Sequence, residues 1–148
     1  MIHLPHGTYM KFIRFAGGVG GDARIALYLI DGGTFLFVGY WQGYELTMAG
    51  GCWVQDGDRL RLQGAARVLM MDCPPFKTDY CPYFREYTIE SESTTPKLIA
   101  TDQSEAWSLL SWAPLTYVGP DQIIDAPDLT TWDEIAATAQ QFVLAMGR

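Results

Sequence analysis

The sequence predicts an all-β domain, an antiparallel sandwich or barrel, that ends in one amphipathic helix. Three observations predict it. Aromatic residues make up 14% of the chain, and strands favour them. About eight or nine short apolar runs are separated by turn signals, a spacing typical of antiparallel β proteins. The clearest helical periodicity lies at the C-terminus. The 148 residues fit a single domain, residues 1–148, with a buried core.

Two Asp-Gly pairs mark the predicted hairpins, because Asp-Gly suits type I′ turns, whose central residues take positive φ. Asp31-Gly32 joins strand candidates 24–30 and 34–41. Asp56-Gly57 joins a second pair, 50–55 and 58–64. Residues 59–71 also fit one long strand that bends at Gly64, since an interior glycine often marks a bulge or a barrel corner. The other strand candidates are 8–15, 65–71, 83–90, 96–102 and 106–112.

The predicted strands differ in how their two faces are covered. Residues 59–63 alternate between polar and apolar side chains, which predicts one wet face. Leu60 and Leu62 would point inward and Arg59, Arg61 and Gln63 outward. Residues 25–30 and 35–38 are apolar on both faces, and such strands are covered on both sides. We therefore expect the C-terminal helix to cover the outside of the 24–41 hairpin; a partner subunit is the alternative.

The helix is predicted over residues 131–147. Thr131 is a suitable N-cap, Glu134 stands at the capping-box spacing, and Gly147 ends the helix. A one-sided helix of this kind must dock on another element. Its apolar stripe consists of Trp132, Ile135, Ala136, Ala139, Phe142, Val143 and Met146.

Charge and composition exclude several classes of function. The net charge is −7 and the ten basic residues are scattered singly, whereas a nucleic-acid binder needs clustered cations. No apolar run approaches the ~20 residues that span a bilayer. The N-terminus lacks the basic start and the apolar stretch of a signal peptide, which predicts a cytoplasmic protein. A secreted chain from which the signal was trimmed is the alternative.

Two motifs in the first half of the chain follow an apolar strand: Asp-Gly-x-x-Phe-x-Phe and Gly-x-Trp-x-x-Asp-Gly-Asp-x-Leu-x-Leu. Their residues are Asp31, Gly32, Phe35, Phe37, Gly51, Trp53, Asp56, Gly57, Asp58, Leu60 and Leu62. This order resembles small bacterial lipocalin-like (calycin-type) barrels, which include the barrel domains of envelope lipoproteins. Gly7-Thr8-Tyr9 resembles the Gly-x-Trp that opens the first lipocalin strand. The resemblance implies an antiparallel up-and-down barrel of about eight strands with the helix packed outside. It also implies small apolar ligands and no catalytic residue.

The histidines and cysteines form no metal or nucleophile pattern. His3 and His6 lie near a chain end, where we expect a solvated segment rather than a metal site. The cysteines lack a Cys-x-x-Cys pair, so we predict no metal and no cofactor. Cys52 is expected to be buried and structural, whereas Cys73 and Cys81 would pair only in an oxidising compartment.

Carboxylates make the remaining case for an enzyme. Glu86 and Glu90 share one face of their strand, which we interpret as an exposed polar face. Glu45 lies between Trp41 and Tyr44 on one side and Leu46 on the other, where burial would raise its pKa, although we prefer a loop position. We predict no catalytic residue, and a small barrel enzyme that uses a carboxylate or a cysteine stays as an alternative.

The aromatic residues carry the functional prediction. An eight-stranded barrel is just wide enough to be filled by side chains or to hold one small ligand. We predict a binding protein for a small, largely apolar ligand; a filled barrel that serves as an interaction or structural module is the alternative, and a second copy of the chain is the other candidate partner. The ligand would be held by Tyr9, Phe35, Phe37, Trp41 and Trp53, with Arg14 and Arg85 as orienting groups if they face inward.

Overall fold

The computed structural model describes residues 4–14, 22–41, 44–68, 81–90, 95–101, 115–123 and 129–146. These residues contain eight strands and one helix. The strands are β1 (Gly7–Arg14), β2 (Asp22–Ile30), β3 (Thr34–Trp41), β4 (Tyr44–Asp56), β5 (Arg59–Val68), β6 (Cys81–Glu90), β7 (Lys97–Ala100) and β8 (Leu115–Gly119), and the helix is α1 (Trp132–Met146).

The strands form a closed antiparallel barrel. Each strand pairs with the next one in the chain, and β8 pairs back with β1. The predicted all-β barrel of eight strands with one outer C-terminal helix is therefore confirmed. The sequence prediction omitted β8, and the strand candidate at 106–112 lies outside the described residues. β4 also starts earlier than predicted, at Tyr44, so Glu45 is a strand residue opposite Tyr40 and not a loop residue.

The two hairpin turns lie at the two Asp-Gly pairs, and the second turn is shifted by one residue from its predicted position. The first turn holds residues 31–33 between the paired Ile30 and Thr34, and positive φ falls on Gly32 (97°) and Gly33 (89°). In the second hairpin Asp56 pairs with Arg59, which leaves Gly57 and Asp58 as the turn. The prediction placed Asp56 in the turn and was wrong by one residue, because Gly57 supplies the positive φ of 62° at its first position.

The barrel interior holds one of two apolar cores. Alternate residues of every strand point into it, which follows from the two-residue period of a strand. Leu60 and Leu62 are fully buried there, while Arg59, Arg61 and Gln63 are exposed, so the predicted faces of β5 are confirmed. The interior core also contains Tyr9, Ile25, Leu27, Leu29, Phe35, Ala49, Ala66, Tyr83, Tyr87, Ile89, Leu98 and Leu115.

The second core lies between the outside of the barrel and α1. The outward faces of β2 and β3 supply Tyr28, Leu36 and Val38, so the predicted docking of the helix on this hairpin is confirmed. The helix also extends over β4 and β5, which the sequence analysis did not predict. The helix contributes Ile135, Ala139 and Phe142, and Met48 and Ala65 complete the sheet side.

The start of α1 has the predicted cap. The Glu134 backbone N–H donates a hydrogen bond to the Thr131 hydroxyl at 3.1 Å, which satisfies one of the free donors of the first turn. The Glu134 carboxylate accepts hydrogen bonds from the Thr130 hydroxyl at 2.8 Å and the Thr131 hydroxyl at 3.1 Å. These bonds, led by the one from Thr130, lower the pKa of Glu134.

Two glycines allow β4 and β5 to approach closely. Gly51 pairs with Gly64, and a Cβ on Gly64 would collide with the Gly50 carbonyl oxygen. A Cβ on Gly51 would collide with the Gln63 carbonyl oxygen. The predicted long strand through Gly64 is present, and its register with β4 runs without a break. Gly64 therefore serves a close contact of two backbones rather than a bulge.

Candidate binding site in the barrel interior

A short N-terminal segment closes one end of the barrel. This is the end at which β1 begins and at which the turns 31–33 and 57–58 lie. Leu4 is buried and belongs to the interior core, and its backbone N–H donates a hydrogen bond to the Gln55 side-chain oxygen at 2.9 Å. We call residues 4–6 the plug. Because its first residue is part of the core, the plug covers the interior core at this end of the described barrel.

Aromatic side chains of the barrel hold the plug in place. The Tyr9 hydroxyl donates a hydrogen bond to the Pro5 carbonyl at 2.9 Å, and the Tyr117 hydroxyl donates one to the His6 carbonyl at 3.3 Å. The His6 ring meets the Trp53 ring edge-on, with the centroids 5.7 Å apart. His6 is exposed, as expected for a solvated segment, although its carbonyl is held by the hydrogen bond from Tyr117.

Two predicted ligand-binding residues are thus parts of the closed end. Tyr9 is fully buried beside Tyr117, with ring centroids 5.1 Å apart, and burial followed by the neighbouring Tyr117 raises the pKa of Tyr9. The Trp53 indole N–H donates a hydrogen bond to the Ile30 carbonyl at 3.3 Å. Both side chains therefore have structural partners where they lie.

A second group of inward-facing residues lies farther from the plug. Phe35, Gly51, Gly64 and Tyr83 form one continuous row of paired residues across β3 to β6. The two middle positions carry no side chain, so the outer two rings reach each other, and their centroids lie 6.0 Å apart. Phe37 lies on the other side of the Tyr83 ring at a centroid distance of 6.3 Å.

Arg85 brings a positive charge to this group. It pairs with Leu62, a fully buried interior residue, and so shares the inward face of β6 with Tyr83. The guanidinium carbon lies 5.0 Å from the centre of the Tyr83 ring, a cation–π distance. One guanidinium nitrogen also donates a hydrogen bond to the Phe84 carbonyl at 3.0 Å. Arg85 therefore faces inward, as its predicted role as an orienting group requires.

Small side chains complete this part of the interior. Phe37, Ala49 and Ala66 are consecutive partners in the row next to that of Tyr83. We call Phe37, Ala49, Ala66, Tyr83 and Arg85 the interior site. Phe37 and Arg85 are only partly buried although they face inward, whereas Leu27, Leu29 and Phe35 nearby have no exposed surface. Phe37 and Arg85 therefore keep some accessible surface, as do Trp53 and Tyr117 beside the plug.

The predicted ligand-binding set is divided by the structure. Phe37 and Arg85 lie in the interior site, Phe35 is buried against it, and Tyr9 and Trp53 lie at the plug. Trp41 and Arg14 are the last residues of their strands, and their side chains lie outside the described part of the chain. The missed members are Tyr83, Ala49 and Ala66. The available signal for Tyr83 was its position: Tyr83, Arg85 and Tyr87 occupy alternate residues and therefore share one face of the strand.

The candidate acid–base residues lie elsewhere. Glu86 points outward and accepts hydrogen bonds from Arg59 at 2.6 Å and from Arg61 at 3.0 Å. These contacts, led by the one from Arg61, lower its pKa, which opposes a role as a proton donor near neutral pH. The expected exposed face of β6 is therefore confirmed at Glu86. The side chain of Glu45 lies outside the described part of the chain.

Cys52 differs from its expectation. The sequence analysis expected a buried structural residue, but Cys52 is exposed. It points outward from β4, opposite Gln63, at a place that α1 does not cover. Cys73 lies outside the described residues, as does the side chain of Cys81, so the prediction that they pair only in an oxidising compartment stays a prediction.

The described residues also bear on metal binding and on membrane crossing. Among the described residues, no group of three or more His, Cys, Asp and Glu side chains could hold a metal ion. In the same part of the chain, no helix has the length and apolar character needed to cross a membrane. Comparison of the sequence and the structure with protein-family models, curated proteins and solved structures found no match.

Proposed function

We propose that the chain is a non-enzymatic binding protein that holds one small, largely apolar ligand at the interior site. The observation that carries the proposal is the partial exposure of Phe37 and Arg85, two inward-facing residues that both contact the Tyr83 ring. Side chains that face inward lose their exposure when a barrel is filled. Surface retained at these two positions is surface that a ligand can cover.

The residues of the site favour a particular chemical class of ligand. Phe37 and Tyr83 offer ring faces, and the neighbouring Ala49 and Ala66 carry only methyl side chains. These groups suit an apolar body, which gains about 25 cal/mol for each Å² of apolar surface removed from water. Arg85 suits an oxygen-bearing end, and a carboxylate is the group that its fork of donors matches best. The proposed ligand is therefore a small apolar molecule with one acidic group.

The assignment to lipocalin-like barrels is part of the same proposal. Its support is the up-and-down order of eight strands, the closure of β8 on β1, and the helix outside the barrel. Barrels of this size hold single small ligands in other proteins. Because a fold hosts many functions, the proposed activity depends on the interior site and not on this assignment.

Binding of decanoate and decanol tests the proposal. The two molecules share an apolar chain and differ in the acidic group. By calorimetry the wild type should bind decanoate more tightly, by roughly tenfold or more, because a hydrogen bond to a charged group contributes about 1.5–3 kcal/mol. Arg85→Leu should remove this preference and keep decanol binding. Arg24→Leu, which removes an exposed arginine of β2, should change neither.

Three results would count against the proposal. Failure of the wild type to bind either molecule would contradict the binding function. An equal preference in the wild type and in Arg85→Leu would contradict the role of Arg85. Equal effects of Arg85→Leu and Arg24→Leu would show a general effect of net charge rather than a contact in the site.

A further inference from the structure

The outward face of β4, β5 and β6 forms a second surface, separate from the interior site. Three consecutive rows of paired residues cross it, with three outward positions in each row. We call these nine residues the outer face. They are Cys52, Gln63 and Phe84 in the first row, Val54, Arg61 and Glu86 in the second, and Asp56, Arg59 and Thr88 in the third.

The outer face is apolar along its edges. Val54 and Phe84 are exposed to 60% and 58%, and Cys52 is also exposed. The outward face of β4 is covered by α1 nearer its start, where Met48 and Gly50 meet the helix, and this cover ends before Cys52. One strand thus has a covered outward half and an uncovered outward half, and the uncovered half still carries apolar side chains.

The charges of the outer face balance each other. Arg61 bonds to Glu86 at 3.0 Å and to Asp56 at 3.2 Å, and Arg59 bonds to Glu86 at 2.6 Å. Two arginines therefore face two carboxylates within three strands, and Asp58 of the adjoining turn also lies 3.9 Å from Arg59. This surface is thus close to neutral, whereas the whole chain has a net charge of −7. Each of the two arginine side chains keeps 46% of its surface exposed, and Asp56 keeps 67%, so these groups have capacity for further contacts.

We propose that the outer face binds a second copy of this chain in a two-fold symmetric dimer. Two acidic chains repel each other at most orientations, and the repulsion is smallest where the surface is locally neutral. A two-fold contact places the same patch on both sides, so each arginine can meet a carboxylate of the other copy. The same operation lets the exposed apolar edges of the two copies cover each other.

The balance of charge favours a second copy over other occupants. A surface for a nucleic acid or an acidic partner would carry an excess of arginine and lysine. A surface for a basic partner would carry an excess of carboxylates. The outer face carries neither excess and is complementary to itself. It consists of nine residues, fewer than the roughly 20–30 that each partner contributes to a standard interface. We therefore expect a weak dimer that forms at high concentration.

Sedimentation velocity over a range of protein concentrations tests the proposal with two matched double variants. Val54→Ser/Phe84→Ser removes the apolar edges of the outer face. Val118→Ser/Leu144→Ser removes two side chains of similar exposure, 45% and 61%, that lie on β8 and α1. The wild type and the second variant should form a dimer with the same dissociation constant. The first variant should dimerise at least roughly tenfold more weakly, because it loses both large apolar side chains of the contact and a tenfold change corresponds to about 1.4 kcal/mol.

A crosslinking experiment supplies an independent measurement. In a Cys73→Ser/Cys81→Ser background, in which Cys52 is the one remaining cysteine, a short bismaleimide should join two chains. Adding Cys52→Ser to that background should abolish this product while the sedimentation behaviour is kept. A wild type that stays monomeric at every concentration would overturn the proposal. Equal weakening by the two double variants would overturn it as well, and so would a crosslinked dimer that persists in Cys52→Ser.

Discussion

Phe142 of the helix lies directly against the backbone of Gly50 in β4. A Cβ added to Gly50 would lie 2.8 Å from the Phe142 Cβ and 2.9 Å from its Cγ. Real Cβ atoms do not approach so closely, so the absence of a side chain at residue 50 sets how near the helix comes to the barrel. The buried Phe142 in turn covers the small residues of β4 and β5.

Gly50→Ala is therefore expected to destabilise the protein. An alanine within a strand normally improves stability over glycine, because it restricts the unfolded chain. Here the added methyl group overpacks the contact with Phe142, which costs about 1–3 kcal/mol. Urea unfolding monitored by circular dichroism measures the loss. A Gly50→Ala variant as stable as the wild type would contradict this close contact.

Combining this change with Phe142→Ala tests the pair itself. Phe142→Ala alone should cost about 3–5 kcal/mol, because it leaves a cavity under the helix. In that background the ring carbons 2.9 Å from the added methyl group are gone and only the contact with the Cβ of residue 142 remains, so part of the collision is relieved. The double variant should therefore be more stable than the sum of the two losses, by about 0.5–3 kcal/mol. Strict additivity would indicate that the two residues do not meet.

The plug should contribute to stability as a core element. Leu4 is buried in the interior core, although it lies close to the N-terminus. Leu4→Ala should lower the free energy of unfolding by about 2–5 kcal/mol. Leu144→Ala, at an exposed position of α1, is the matched control and should change stability by no more than about 0.5 kcal/mol. Equal, small effects of the two substitutions would show that the plug is not part of the core.

Glu86 should make stability depend on pH below its ordinary pKa of 4.5. In the folded state the hydrogen bond from Arg61, followed by that from Arg59, lowers the pKa of Glu86. The carboxylate therefore stabilises the fold above pH 4.5, and this contribution is lost as the pH falls through the lower folded-state value. Unfolding midpoints measured from about pH 6 to about pH 3 should fall less steeply for Glu86→Gln than for the wild type.

Asp121→Asn provides the control for this pH dependence, because it removes one exposed carboxylate outside the barrel strands. Its unfolding midpoints should follow the wild type over the same range. If Glu86→Gln also follows the wild type, the arginine contacts do not hold the carboxylate in its charged form.

Sequence patterns predicted the barrel where local alternation was strong. β5 shows this, because Leu60 and Leu62 alternate with Arg59 and Arg61, and both faces were assigned correctly. β8 was missed because Leu115–Gly119 is short, and its pairing with β1 and β7 is what makes it a strand. The helix was predicted in full because its apolar stripe repeats over about four turns.

The candidate site was harder to predict, since it depends on contacts between distant residues. Nothing local in Leu4, Pro5 and His6 indicates that they close the barrel, and their partners Gln55 and Tyr117 are far along the chain. Cys52 was expected to be buried because Gly51 and Trp53 flank it, but its exposure depends on where α1 stops covering β4. Such limits of coverage are set by the docking of the helix and not by the sequence around the cysteine.

The most direct test of the binding proposal is a titration with 1-anilinonaphthalene-8-sulfonate, an apolar anionic probe, of the wild type and Ala66→Leu. If the interior site is open, the wild type binds one probe molecule saturably with quenching of tryptophan emission. Ala66→Leu then fills the site, weakens binding by at least roughly tenfold, and leaves the free energy of unfolding within about 0.5 kcal/mol of the wild type. The contradicting result is a wild type without saturable binding, together with an Ala66→Leu variant destabilised by about 1–3 kcal/mol through overpacking of a filled barrel.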